Sequence, residues 1–542
     1  MIPVMKMPNP MKSGHSFSMV PSVKIERSQF DRSHAYKTTF NAGDLVPFYV
    51  DEALPGDTFN LQLTALARLA TPIKPLMDNL YFETFFFFVP LRLVWTNFVK
   101  FMGEQEPSTF TAYTWPQMTP FGPTLGSITD YFGIAGTGGG AFVTSLPYRC
   151  YNLIYNQWFR DENLIASAVV DMGDGPDAIA NYFLRKRGKR HDYFTSCLPW
   201  AQKAGSAVTL PLGTSAPVVR IGATSFPQFV GATSAKVNTK FTAAATAGAT
   251  ATQVDSGGAG NWTAGESLYW NTGATASGLQ ADLSTATAAT INAIRQAFQI
   301  QKFLERDARG GTRYTEKIRA HFGVVSPDAR LQRSEYLGGG STPVVVNAVA
   351  QTTSPAAPTN KDALANLGGI GQLHAHGHGF TKSFTEHGFI LGLMNVRADL
   401  TYQQGTNRMW KRLTPYDMFW PEFAHLGEQT VTAGEIYTVG GAGDDVVFGY
   451  QERYAEYRYK PSMVTGLFRS NAAGTLDLWH CSEKFVAAPT LGTTFIEDQT
   501  HSILARNLAV PTEPDFYFDS YIRLICARPM PVFGVPGMVD HF

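Results

Sequence analysis

Charge is scarce in this chain. Asp, Glu, Lys and Arg make up 16% of its 542 residues, where roughly a quarter is ordinary for a globular protein. Lys plus Arg and Asp plus Glu each number 44, so the net charge is zero. A protein dedicated to wrapping nucleic acid would be basic overall, so that class is disfavoured, although a local basic face is not excluded. A chain with little charge and no net charge instead favours self-association, and charge is depleted in the cores of protein–protein interfaces.

Cysteine is equally scarce. Cys150, Cys197, Cys481 and Cys526 lie far apart, and no pair has the spacing of a zinc knuckle or a redox motif. Four reduced, buried thiols are expected. Long apolar runs are missing too. The longest, Tyr81–Trp95, is broken by Glu83, Pro90 and Arg92 and is too short to cross a bilayer. Met1–Gly14 carries Pro3, Pro8 and Pro10 but no apolar signal-peptide core. The expectation is a soluble protein made in the cytoplasm, without membrane insertion. Catalytic signatures are absent: no Gly-x-Ser-x-Gly elbow, no phosphate loop ending in Gly-Lys-Ser/Thr, no His-Glu-x-x-His. Neither a catalytic residue, a metal site nor a cofactor is expected.

What the chain does have is aromatic residues (13%), 50 glycines and 32 prolines, a composition that suits strands joined by long ordered loops. Met1–Lys37 reads as an extended arm. It carries Lys6, Lys12, Lys24, Arg27, Arg32 and Lys37, with Phe17, Val20, Ile25 and Phe30 as apolar anchors. In Thr58–Leu69, Phe59, Leu61, Leu63 and Ala65 alternate with polar residues, the period of a half-buried strand. Tyr81–Val89, with Phe85–Phe88 in a row, reads as a strand covered on both faces. Further strands are expected at Phe389–Val396, Glu456–Lys460, Thr475–His480 and Phe516–Cys526. Helical spacing appears at Leu153–Leu164, at Asp177–Lys186 and from Ile291 to Leu304, the last ended by Gly310-Gly311.

Between about Ala204 and Thr290 the composition changes to Ala, Thr, Gly and Ser, with only Arg220, Lys236, Lys240, Asp255, Glu266 and Asp282 charged. Disorder normally comes with high charge, and Phe226, Phe229, Phe241, Trp262, Tyr269 and Trp270 punctuate the stretch. It reads as a small β-rich module inserted into a larger domain. The expected organisation is an arm at 1–37, a first β part at 38–203, the module at 204–290 and a second β part at 291–542. Strands separated by long loops, few helices and no repeat of 20–50 residues point to a sandwich or jelly roll.

Three clusters invite a functional reading. Arg185, Lys186, Arg187, Lys189 and Arg190 form the densest basic run, able to neutralise phosphates or to serve as a helix end or salt-bridge face. Lys12 is a further candidate for DNA contact. His374, His376 and His378 alternate; on a strand they would share one face, but Gly377 and Gly379 favour a loop. In Tyr450–Lys460 acids alternate with bases, which suits an ion-pair ladder within a sheet or between subunits. Glu456, Arg458 and Lys460 are the candidates.

Several segments, in collinear order, resemble the major capsid proteins of gokushoviruses, a branch of the small icosahedral microviruses. They are Phe40–Phe59 (with Asn41-Ala42-Gly43-Asp44 and Asp51-Glu52-Ala53-Leu54-Pro55-Gly56-Asp57), Tyr148–Leu164, Asp192–Trp200, Phe303–Glu316, His321–Leu337 and Tyr450–Ser462. The resemblance implies an eight-stranded viral jelly roll with long loops, and pentamers that close into a T=1 shell around circular single-stranded DNA. It implies an internal scaffolding protein, a DNA pilot protein and a bacterial surface receptor as partners, and the virion as location. The inserted module would form a protrusion at the three-fold axes, with Phe226, Phe229, Trp262, Tyr269 and Trp270 as candidates for its surface. On composition alone, a carbohydrate-active β-sandwich enzyme or lectin is the alternative. A spike or fibre trimer is disfavoured by the absence of heptads and fibrous repeats.

Overall fold

The structure is a computed structural model. It describes residues 26–106, 111–118, 124–134, 143–201, 291–350, 352 and 366–533, and the backbone of six short strands between 218 and 281. Residues up to Ala201 and from Asp307 onward form one compact unit, and Gln202–Arg306 form a second.

The first unit is built on one antiparallel sheet of nine strands: β1 (Ser28–Asp31), β2 (His34–Phe40), β3 (Val46–Ala53), β4 (Thr58–Leu69), β5 (Leu80–Pro90), β6 (Glu335–Ala350), β7 (Leu367–Ser383), β8 (Gly388–Ala398) and β9 (Phe516–Arg528). β1 and β2 lie along the same edge of β9, pairing with its end and its start respectively. The strand order falls into two halves, β2-β9-β4-β7 and β3-β8-β5-β6. They are joined where Val345–Ala350 of β6 pairs with Leu367–Gln372 of β7. Consecutive strands mostly lie in opposite halves, an order consistent with the jelly roll. The halves pack face to face. Phe86 of β5 meets Phe380 of β7 at 5.4 Å between ring centroids, and Phe82 meets Phe518 of β9 at 5.7 Å.

Alternation builds this core. In β4, Phe59, Leu61, Leu63, Ala65 and Ala67 are buried while Asn60, Gln62, Thr64 and Leu66 alternate outward. β5 is covered on both faces, as its composition predicts. Phe82, Phe86 and Phe88 enter the inter-sheet core. Phe87 and Val89 enter a second core with α1 (Leu146–Ile154). The expected helix at Leu153–Leu164 is displaced toward the N-terminus. α1 starts with Pro147 in its first turn and continues as a wide turn over Tyr155–Phe159, which sets Trp158 and Phe159 against Phe87 and Phe85. The helix at Ile291–Gly310 (α2) is as expected. α3 (Tyr314–Phe322) follows. All four cysteines are buried and free.

Three expected elements do not form. Asp177–Lys186 holds only a single turn, Ile179–Asn181. Its Asp177 side chain is taken by the fully buried Arg149, whose Nε donates to it at 2.7 Å. Beyond it the backbone is drawn into long-range hydrogen bonds: Leu45 N donates to Arg185 O, Arg187 N to Gly43 O and Lys189 N to Ile496 O. At Glu456–Lys460 a helical turn, Ala455–Arg458, replaces the strand, because the Glu456 carboxylate is turned inward to Arg412 at 3.3 Å. At Thr475–His480 a turn at Asp477–Trp479 forms, with the Thr475 hydroxyl accepting from Asp477 N. The expected boundary at residue 37 falls inside β2, so Ser28–Lys37 is part of the sheet rather than an arm. Residues 1–25 lie outside the described residues.

In the second unit, four strands pair in the order Leu268–Trp270, Gln228–Gly231, Lys236–Phe241, Val254–Ser256, and Val218–Arg220 pairs with Leu279–Ala281. Among the described residues no helix is long and apolar enough to cross a membrane.

Phe86→Ala should destabilise the unassembled subunit by about 3–5 kcal/mol. Tyr521→Ala, on the exposed face of β9, should stay within about 0.5 kcal/mol. Urea denaturation of the two variants side by side checks this.

Candidate assembly and nucleic-acid surfaces

The basic run is not a free cationic stretch. It crosses the outer face of β5, and its cations are drawn onto acids and rings. Glu83, near the middle of β5, is surrounded by three guanidinium groups: Arg187, Arg397 at 2.9 Å and Arg190 at 3.9 Å. Arg397 comes from β8, where its neighbour Asn395 lies opposite Glu83. Arg190 also reaches Asp399 at 3.4 Å. Lys189 is buried, pairs with Glu483 at 2.6 Å and lies 4.5 Å from the Phe495 ring centroid. The Arg187 guanidinium sits over Phe85 at 4.7 Å, and Arg185 over Phe183 at 3.6 Å. Lys186 is half-buried, its backbone bridged to Asp44.

The electrostatics follow from this crowding. Burial would raise the Glu83 carboxyl, but Arg187 and Arg397 together hold it below the usual range. Burial and the neighbouring Arg397 push Arg187 down to about 10, against the attraction of Glu83. Three guanidinium groups facing two carboxylates, Glu83 and Asp399, leave a local surplus of one positive charge. It opens into a cleft of about 520 Å³, lined by the cations Arg160, Arg187, Lys189, Arg190, Arg313 and Arg397 and by the rings of Phe85, Phe87, Trp158, Phe159 and Tyr336. Asp161 is its one lining carboxylate among the described residues. Guanidinium groups bind phosphate bidentately, and aromatic faces stack with bases. The arrangement is therefore chemically able to take an anion that carries a ring.

The histidines are not on a loop. They lie within β7, where the register against β4 shifts between His376 and His378. Gly377 occupies the bulge at φ +77°, a conformation glycine adopts without strain. The extra residue flips the alternation, so His374 and His376 are exposed while His378 is buried. His378 Nδ1 lies 2.8 Å from Thr84 Oγ1 and Nε2 3.0 Å from Thr342 Oγ1. Gly340 of β6 makes room for the ring, since a Cβ there would fall 2.3 Å from it. Burial lowers the His378 pKa. The bulge therefore separates the three rings that an unbroken strand would have put on one face. No cluster of three metal-ligating side chains occurs among the described residues.

Glu456 is buried against Arg412 and Gln429. Arg458 is exposed and pairs with Glu452, and Lys460 is exposed. Of the protrusion candidates, Phe229 and Trp270 lie opposite each other on paired strands, with Tyr269 beside Trp270. Phe226, Trp262 and Lys12 lie outside the described residues. What the sequence did not reveal is the role of Glu83, Arg397 and Arg149. Each is a charge within an apolar element, and that alone was the available signal.

The family profile described as "Capsid protein (F protein)" matches residues 18–538. The chain belongs to this phage capsid protein family. Its relatives include Capsid protein VP1 of Bdellovibrio phage phiMH2K, 46% identical over 97% of this chain and 98% of that protein. Capsid protein VP1 of Chlamydia phage 1 is 44% identical over 98% and 99%. That of Spiroplasma virus 4 is 34% identical over 97% of each. These are gokushovirus-type microviruses, so the resemblance seen in the sequence is borne out. A member of a capsid family is a structural protein rather than an enzyme, and the carbohydrate-active alternative gives way.

Replacing Glu83 leaves Arg187 and Arg397 buried without their carboxylate. Breaking one side of a buried ion cluster costs about 3–5 kcal/mol. Glu83→Gln should therefore destabilise the unassembled subunit by that order, whereas Lys382→Ala, which removes a more exposed pair with Glu335, should cost at most about 1 kcal/mol. Denaturation midpoints of the two variants test this.

Proposed function

We propose that the chain is the major capsid protein of a gokushovirus-type microvirus, assembling through pentamers into a T=1 shell around circular single-stranded DNA in the bacterial cytoplasm. The observation that carries this reading is end-to-end similarity to capsid proteins over at least 97% of the chain. The nine-stranded sheet supports it, as does the charge-poor composition. In this reading an internal scaffolding protein and a DNA pilot protein assist assembly, and the Ala204–Thr290 stretch forms a protrusion that meets a bacterial receptor.

The cleft beside β5 is the proposed contact for packaged DNA, with Arg187, Lys189 and Arg190 lining it and Lys186 beside them; Lys12 is a further candidate. The guanidinium groups that line it suit phosphate, and the adjoining rings favour unpaired bases over duplex.

Expression with the companion phage proteins, followed by electron microscopy, tests the shell. Small round particles with raised three-fold positions are expected; a small, non-assembling species under these conditions would overturn the reading. The DNA contact is tested in the same particles. Lys186→Ala with Arg190→Ala leaves Glu83 its two closest arginines, so shells should still form, with a lower ratio of absorbance at 260 to 280 nm. Genome content equal to the parent would remove the cleft from DNA contact.

A further inference from the structure

The connection from β8 to β9 carries an apolar shelf that nothing in the subunit covers among the described residues. It is built from three short turns, Arg408–Lys411, Pro415–Asp417 and Pro421–Phe423. Leu413 is 92% exposed, Trp410 73%, Tyr416 68% and Leu426 65%, with Phe419 and Trp420 about half exposed. Single exposed apolar residues are common and carry no meaning. Six large ones within 17 positions form a patch, and patches mark contact surfaces.

The shelf is held in place rather than left loose. The Asp417 carboxylate accepts from Leu413 N at 3.0 Å and from Thr414 N at 2.8 Å. Trp420 Nε1 donates to Pro415 O at 2.8 Å, and the Phe419 ring packs on Tyr454 at 5.1 Å. Its arginines turn inward, while Asp417 and Glu422 stay exposed: Arg408 donates to Thr430 O at 2.6 Å and to Glu435 at 3.3 Å, and Arg412 reaches Glu456 at 3.3 Å. The result is a fixed surface with aromatic tips outward and cations withdrawn, the composition of an interface core. Fixing a surface before contact lowers the entropy lost on binding.

We propose that this shelf is an inter-subunit contact, covered in the assembled shell by a second copy of the chain. The inference rests on the capsid reading, because a closed shell of identical subunits supplies a second copy at every contact. The area fits. Four aromatic side chains of 150–250 Å² each, half to three-quarters exposed, present roughly 400–500 Å², about half of the ~800 Å² that one partner contributes to a stable interface. A ring of identical copies needs two unlike faces that meet head to tail. The chain has a second, unlike apolar surface, since Tyr314 and Phe322 at the two ends of α3, with Val325 beyond it, are all more than 70% exposed.

Leu413→Cys tests the contact directly, since the four native cysteines are buried. In full-length protein expressed with the companion phage proteins, maleimide labelling of the introduced thiol should be at least tenfold slower in purified shells than in unassembled subunits. A photoreactive label placed there should cross-link to another copy of this chain. Equal labelling in both states, or cross-linking to a different phage protein, would overturn the proposal. Leu413→Asp should leave the thermal melt of the unassembled subunit unchanged and reduce shell yield at least tenfold on sedimentation; parental yield would overturn it. If the parental protein itself forms no shells, the capsid reading fails first, which separates the two failures.

Discussion

Strand β5 carries large apolar side chains on both faces. Phe82, Phe86 and Phe88 fill the space between the two halves of the sheet, and Phe87 and Val89 point the other way. A strand apolar on both sides requires a cover on each. The facing half-sheet supplies one. The long stretch after β5 supplies the other, through α1, Trp158 and Phe159. Glu83 adds an ionic demand to the apolar one, because a carboxylate withdrawn from water must be paired. The segment at 185–190 meets that demand, and its backbone is fixed between residues 43–45 and 496–498. The core of the wall and the course of its first long loop are therefore one problem in packing.

This explains which parts of the fold were readable beforehand. A period of two is a local signal, so β4, β5, β8 and β9 were legible from their own residues. The abrupt loss of charge after Ala204 is equally local. What failed was every element whose shape is set from a distance. Arg187 lies 104 residues from Glu83, Arg397 lies 314 from it, and Lys189 lies 294 from Glu483. A basic run after a short helical pattern looks like a solvated helix end until those partners are known. The histidines failed for a subtler reason. Two glycines beside alternating histidines suggest a loop, yet Gly377 supports a bulge within a strand. Family resemblance identified the molecule without showing any of these contacts.

The distribution of charge reverses the habit of an isolated soluble protein, which spends its charges on the surface and its rings inside. Here a chain with 16% charged residues sends many of its arginines inward. Arg149 is fully buried on Asp177, Arg187 and Arg397 converge on Glu83, and Arg412 is held by Glu456. Trp410, Leu413 and Tyr416 meanwhile stand in solvent. Both halves of this pattern follow if the folded subunit is an intermediate rather than an end point. Internal ion pairs fix a surface before its partner arrives, and long-range screening by salt weakens buried pairs least. Apolar tips then supply attraction that needs no matching charge on the neighbour. A subunit that must meet identical copies gains from this, because like net charges would oppose every contact while zero net charge opposes none. The scarcity of charge and the exposure of aromatics are thus two expressions of one requirement, a surface completed only by assembly.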